Sequence, residues 1–314
     1  MQIPFKVAIL DDYQEVALTM TDWSPLNNLV TTTVFKDHLF EEAAVVNRLK
    51  PFDIICVMRE RTPLTESILS QLPNLKLIVS TGRGNASINY AAAEANGVVV
   101  GNTGYIGTGA PELTWALIMA ITKHIPQENT SVRTGGWQQK IGIDLSGKTI
   151  GIVGLGKIGK KIATIATAFD MNVIAWSSNL TEEKANEGGA RLVSKETLFK
   201  EADFITVHLV LSERTKAIIK SADLALMKTT AYIINTSRGP LIAENDLVQV
   251  LRNNKIAGAA LDVFDQEPLP ADHPFRTLPN VLATPHIGYV TQNTYKLFFD
   301  DTVNIISNWI ASNK

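Results

Sequence analysis

Four side chains able to carry acid-base chemistry follow three successive apolar runs late in this chain. Arg238 stands in TSRGP after residues 231–235, Asp262 and Glu267 in DVFDQEP after 256–261, and His286 in TPHIG after 281–283. If those runs are strands of one α/β sheet, the positions just beyond them are where such sheets bind ligands. The set supplies a guanidinium able to pair with a planar anion, carboxylates, and an imidazole that can both give and take a proton near neutrality. Singly, each has an ordinary explanation: a turn residue, a solvated loop acid, a satisfied polar side chain. Together on one sheet edge, they form an acid-base set.

The elements that must position this set start at Thr149. In TIGIVGLGKIG an apolar, β-prone run breaks into Gly154, Gly156 and Gly159, the G-x-G-x-x-G spacing. Such a spacing occurs by chance, so its context decides. Ile150, Ile152 and Val153 read as a buried strand, Ile158, Ile162, Ile165, Ala166 and Phe169 follow at helical spacing, and a second apolar run covers 173–176. A strand turning into a helix around three positions without side chains lets backbone N–H groups approach a pyrophosphate, so a dinucleotide-binding β-α-β unit is expected.

At 314 residues the chain exceeds one ordinary core and suits two domains. With 45% hydrophobic and 19% charged residues it has a globular composition. A formal charge of −2, with Lys and Arg scattered, leaves no footprint for nucleic acid or an anionic membrane. The start MQIPFKVAILDD lacks a signal-peptide pattern and no apolar stretch approaches a membrane span, so a cytoplasmic protein is expected. The single Cys56, within the apolar run 53–58, is expected to be an inert core thiol.

Short β-branched runs at 6–10, 31–35, 54–57, 75–80 and 98–100 alternate with helix-compatible segments and predict a first parallel sheet. A long apolar helix, PELTWALIMAITKHI, is expected from Ala110, with Pro111 in its first turn. Strands at 204–207, 231–235, 256–261 and 281–283, with helices at 221–227 and 244–253, complete a second α/β domain. The helical pattern 294–310 is expected to cross back and cap the first.

At this point GLGKIG, VHLVLSERT, INTSRGPLI, GAALDVFDQEPLP and TPHIGY, in this order and over essentially the whole length, resemble the D-isomer-specific 2-hydroxyacid dehydrogenase family. The resemblance implies two doubly wound parallel-sheet α/β domains, a flavodoxin-like substrate domain (1–102 plus 289–314) and a Rossmann NAD(P)-binding domain (103–288), with the active site in the cleft. It implies oxidoreduction of a small-molecule 2-hydroxy or 2-oxo acid. Arg238 would hold the substrate carboxylate, His286 would protonate the carbonyl oxygen, and Glu267 would orient that histidine and favour its charged form. Gly154, Gly156, Lys157, Ile158 and Gly159 would receive the pyrophosphate, and Leu209 would line the cofactor path. Asp262 would meet the nicotinamide carboxamide, with Thr236 and Gly288 at the same end.

By the same match the loop 82–89, GRGNASIN, brings Arg83 and Gly84 to the substrate carboxylate, although Arg83 and Asn85-Ala86-Ser87 replace the small or acidic residues more usual there. Arg59 and Arg61, in MRERTP, are further candidates for an anionic substrate; a solvated loop pair is the ordinary alternative. Where an acid would bond the adenosine ribose, the chain has Ser177-Ser178-Asn179. No Arg is supplied for a 2′-phosphate, so NAD is favoured and NADP left open. His208 closes a strand near the cofactor path, whereas His38, His124 and His273 are expected as surface or packing residues. No metal site is expected, since hydride transfer to a nicotinamide needs none. A homodimer is expected through 113–121 and the loop around Trp137. Because the chain stops soon after the last helical pattern, no extra regulatory domain, and no feedback by serine through one, is expected. A dinucleotide-sensing, corepressor-like protein of the same fold is the rival reading.

Overall fold

A computed structural model of the chain describes residues 4–313. It divides into two compact units, one made of the chain up to Ile106 and again from Thr291, the other of Gly107–Val290.

The first unit is built on β1 (Phe5–Ile9), β2 (Val30–Val34), β3 (Ile54–Val57), β4 (Leu77–Ser80) and β5 (Val99–Asn102), all parallel, in the order β2-β1-β3-β4-β5. This is the flavodoxin-like winding. β3 and β4 are buried at every position, as expected of parallel strands covered on both faces. Ala8, Ile55 and Ile78 pack with Val45, Val46 and Leu49 of the Glu42–Leu49 helix on one face. The closing helix, Gln292–Ser312, packs on β4 and buries Phe298, Phe299, Val303 and Ile306. It is tied to its unit by Gly104 N–H donating to Asp301 at 2.7 Å and by Trp309 edge-on to Phe5. Cys56 lies buried in β3, where burial pushes its thiol up to about 12, so it has no thiolate for chemistry.

The second unit carries β6 (Thr149–Val153), β7 (Asn172–Trp176), β8 (Arg191–Leu192), β9 (Phe204–Val207), β10 (Tyr232–Asn235), β11 (Gly258–Leu261) and β12 (Val281–Ala283). Their order, β12-β11-β10-β9-β6-β7-β8, all parallel, is the Rossmann winding extended by one strand, with the direction reversing between β6 and β9. Residue alternation divides its core. Val153, Ile205, Val207, Ile233 and Leu261 face the helices Lys195–Glu201 and Glu244–Arg252, whereas Ile150, Ile152, Phe204, Ile234 and Ala260 face Gly109–Thr122 and Lys157–Ala168.

The chain from Ala110 departs from the single helix expected of it. That helix spans Gly109–Thr122, His124 takes a left-handed backbone (φ 52°), and a second helix spans Ile125–Arg133. Pro126 explains the break, because it has no N–H to carry the ladder on to the Thr122 carbonyl and its ring would clash there, whereas its fixed φ suits the first turn of the helix that follows. The second helix buries no residue, so it has no apolar periodicity to read. Ile125, Val132, Trp137 and Ile141 stand exposed on it and on the loop that follows. No helix among the described residues is long and apolar enough to cross a membrane.

Candidate active site

The fingerprint turn forms because two of its three glycines, Gly154 and Gly159, meet backbone where any other residue would meet a clash. Gly154 has φ 101°, and a Cβ there would lie 2.6 Å from the His208 carbonyl oxygen, so β6 can turn only by pressing against the end of β9. A Cβ on Gly159 would lie 2.2 Å from the Gly154 carbonyl oxygen, so the helix Lys157–Ala168 can sit this close to the turn only with glycine there. Gly156 is different: nothing lies within 4 Å of its would-be Cβ, and it caps the helix from an extended conformation. The amides of the first helical turn, at Lys157 and Ile158, have no partner within the helix by its geometry. An open glycine face beside unpaired amides at a positive helix end fits a pyrophosphate.

The two kinds of glycine give opposite expectations. Gly159→Ala should cost about 2 kcal/mol and lower Tm by about 5 °C through overpacking. Gly156→Ala should leave Tm within about 1 °C but weaken dinucleotide binding about ten-fold, because its methyl occupies the approach rather than the core. Thermal unfolding and NADH titration of both variants check this; equal loss of Tm in the two would refute it.

At the carboxyl ends of β10 to β12 the acid-base residues are held by short local networks. His286 follows β12 with a left-handed backbone (φ 52°), and its Nδ1 lies 2.5 Å from Glu267 Oε2. The other Glu267 oxygen accepts from Phe264 N–H at 2.9 Å, so the carboxylate is fixed on both sides. With a proton on Nδ1 the ring donates to the carboxylate, and Nε2 is then the nitrogen able to exchange a proton. Tyr289 packs edge-on against the imidazole at 5.4 Å.

Asp262, fully buried at the end of β11, accepts from the Thr284 hydroxyl at 2.6 Å, Ile287 N–H at 2.8 Å and Gly288 N–H at 2.9 Å. It therefore ties down the loop on which His286 rides. Burial holds its carboxyl above the usual carboxylate range, outweighing the donors that lower it.

Arg238 sits on a turn made rigid by Asn235, whose side chain donates to the Arg238 carbonyl at 2.9 Å and accepts from Ser237 N–H at 3.0 Å. A Cβ on the next residue, Gly239, would lie 2.1 Å from the Phe264 carbonyl carbon. The arginine turn is thus pressed directly onto the segment leading to Glu267. Thr236 Oγ1 meets Thr114 Oγ1 of the Gly109–Thr122 helix at 2.8 Å. Asn235 and Gly239 were not singled out from sequence; an Asn closing a strand before a turn was the available signal for the first.

Ser177 lies just past β7, with its carbonyl accepting from Leu180 N–H. Leu209 is half-buried, with its side chain within 2.9 Å of the would-be Gly154 Cβ. In the first unit, the Arg59 guanidinium donates to the Thr81 carbonyl at 3.0 Å and lies where a Gly82 Cβ would be. Arg83 and Gly84 follow on the same loop, both exposed. The Arg61 guanidinium donates to the Asp11 carbonyl and stacks over Tyr13. His273 and His38, expected at the surface or in packing, are both paired, with Glu244 and Asp11.

Residues 115–288 match the family model described as D-isomer specific 2-hydroxyacid dehydrogenase, NAD binding domain. The chain is 39% identical to D-3-phosphoglycerate dehydrogenase of Methanocaldococcus jannaschii over 85% of its length, but covers only 50% of that protein; it spans about half the length of the first curated relatives it matches. Glyoxylate reductase of Aeropyrum pernix is 38% identical over 72% of this chain and 71% of its own. The crystal structure of phosphoglycerate oxidoreductase from Vibrio cholerae superposes with a TM-score of 0.92 at 39% identity, covering 98% of this chain and 99% of that one. The chain belongs to the D-isomer specific 2-hydroxyacid dehydrogenase family.

Proposed function

We propose that this chain is an oxidoreductase interconverting a D-2-hydroxy acid and its 2-oxo acid, with NAD as the favoured cofactor. The observation that carries the reading is the His286–Glu267 pair at 2.5 Å, set on the carboxyl edge of the sheet that bears the pyrophosphate turn. The nicotinamide, when bound, supplies or accepts the hydride at the substrate carbon. His286 Nε2 gives a proton to the carbonyl oxygen in reduction and takes it back from the hydroxyl in oxidation. Glu267 orients the ring, Asp262 fixes its loop, and Arg238 pairs with the substrate carboxylate.

Ser177, with neither an acid nor an arginine at its own position, supports NAD only by lacking a selector for the 2′-phosphate. Relatives named for phosphoglycerate and for glyoxylate differ in the acid they take, so a panel is required. NADH and NADPH turnover should be measured across 2-oxo acids of varied side chain. Reduction of at least one acid, faster with NADH, is expected; absence of turnover with every acid and both cofactors would overturn the reading. The exposed Val132, Trp137 and Ile141 support a second copy of the chain as partner, checked by whether the solution mass is twice 34.3 kDa.

A further inference from the structure

His208, in the second unit, has a buried ring that none of the chemistry described above uses. Its backbone continues the β9 ladder, donating to the Val153 carbonyl at 2.8 Å, so it lies beside Gly154 on one side. On the other side the β9–β10 register, Val207 opposite Asn235, places Thr236 next to it. Alternation along β9 puts its side chain on the face of Phe204 and Thr206, where Thr236 reaches Thr114. Both ring nitrogens are sealed from solvent and hydrogen-bond to nothing among the described residues, although the residue as a whole is only half-buried.

An apolar side chain would fill this space without desolvating two polar atoms, so unpaired ring nitrogens at this position call for an explanation. Burial pushes the imidazole down to about 3, which keeps it neutral at physiological pH, with one N–H donor and one lone pair. Half a turn about Cβ–Cγ exchanges the nitrogen and carbon edges of the ring. That motion can present a nitrogen to a neighbour without moving the backbone.

On the reading that this edge binds a nicotinamide dinucleotide, we infer that His208 is a binding residue for the sugar on the nicotinamide side. The position fits: Gly154 belongs to the pyrophosphate turn, Thr236 to the nicotinamide end, and His208 lies between them along the sheet edge. The chemistry fits too, because a ribose hydroxyl both donates and accepts, matching the two faces of a neutral imidazole.

Three ligands of graded length separate this role from general damage. ADP ends at the pyrophosphate, ADP-ribose adds the second sugar, and NADH adds the nicotinamide. His208→Phe should weaken ADP-ribose and NADH alike by about ten-fold and leave ADP within about two-fold, and His208→Asn or His208→Gln should recover part of the loss. The melting temperature of the ligand-free His208→Phe protein should hold or rise, since no hydrogen bond is lost. Isotope-labelled imidazole nitrogens of the wild type should shift on adding ADP-ribose and stay unchanged with ADP, which tests the idea even if a variant folds poorly.

Equal loss for ADP, no loss for any ligand, or a fall in melting temperature beyond about 5 °C would overturn the inference, the ring then serving the fold or a buried water. If the wild type binds none of the three, the dinucleotide reading fails with it. If the wild type binds NADH and the variants bind it equally well, only the role of His208 fails.

Discussion

Replacing His286 should lower kcat by about 10³-fold in both directions while leaving the NADH dissociation constant within about two-fold, since removal of a positioned general acid-base group typically costs 10²–10⁴ in rate. His286→Asn is the better variant than alanine, because the residue sits at φ 52° and asparagine tolerates that backbone without the proton-transfer group. Glu267→Gln should cost about 10²-fold, for a reason the geometry forces. Phe264 N–H requires an acceptor, so the new amide must turn its oxygen there and its NH₂ toward His286 Nδ1. Nδ1 would then have to accept, and the neutral ring would carry its proton on Nε2. In that tautomer Nε2 cannot take a proton from the alcohol, and giving up the proton it holds would leave an imidazolate, so oxidation and reduction should both suffer. Steady-state rates in both directions for the two variants check this. A His286→Asn enzyme with near-normal kcat would mean that another group moves the proton.

How much of this was readable before the fold was known depends on where each constraint lies. The parallel strands were legible because both of their faces are buried, so they appear as unbroken apolar runs such as IICV, LIVS and YIIN. The placement of the candidate residues was legible because an α/β sheet delivers loop side chains beyond its strand ends, and Arg238, Glu267 and His286 do lie on the segments that follow β10, β11 and β12. Contacts between segments distant in sequence left no trace of their partners. Nothing in SRGP says that Gly239 must lie against the Phe264 backbone, and nothing in LDVF says that Asp262 bonds Thr284, Ile287 and Gly288. The exposed helix Ile125–Arg133 was missed because it packs no face on the core and so shows no period. His208 was placed near the cofactor path, but the solitude of its ring is a property of three dimensions.

Removing Arg238 should raise KM for the 2-oxo acid and reduce kcat/KM by about 10²–10³-fold, because truncating one member of a hydrogen-bonded charge pair costs about 2–5 kcal/mol. Arg238→Lys should recover less than about ten-fold of that, since an ammonium offers a point charge where a planar fork pairs with both carboxylate oxygens. The lysine variant also guards against a trivial outcome. The turn is fixed by its backbone and by Asn235, with the Arg238 carbonyl accepting from the Asn235 amide and Gly239 seated on Phe264, and neither contact uses the guanidinium. The guanidinium does donate to the Ser237 carbonyl at 2.7 Å, a contact within the same turn that an alanine forfeits and a lysine can partly replace. Both variants should bind NADH within about two-fold, so that the loss falls on the acid, and their melting temperatures, measured alongside, separate a loss of substrate binding from damage to the turn. Substrates test the assignment from the other side: a 2-oxo acid amide, lacking the carboxylate, should be reduced poorly by the wild type and equally poorly by Arg238→Ala. If the variant discriminated between acid and amide as strongly as the wild type does, the carboxylate would be held elsewhere and Arg238 would owe its place to the turn.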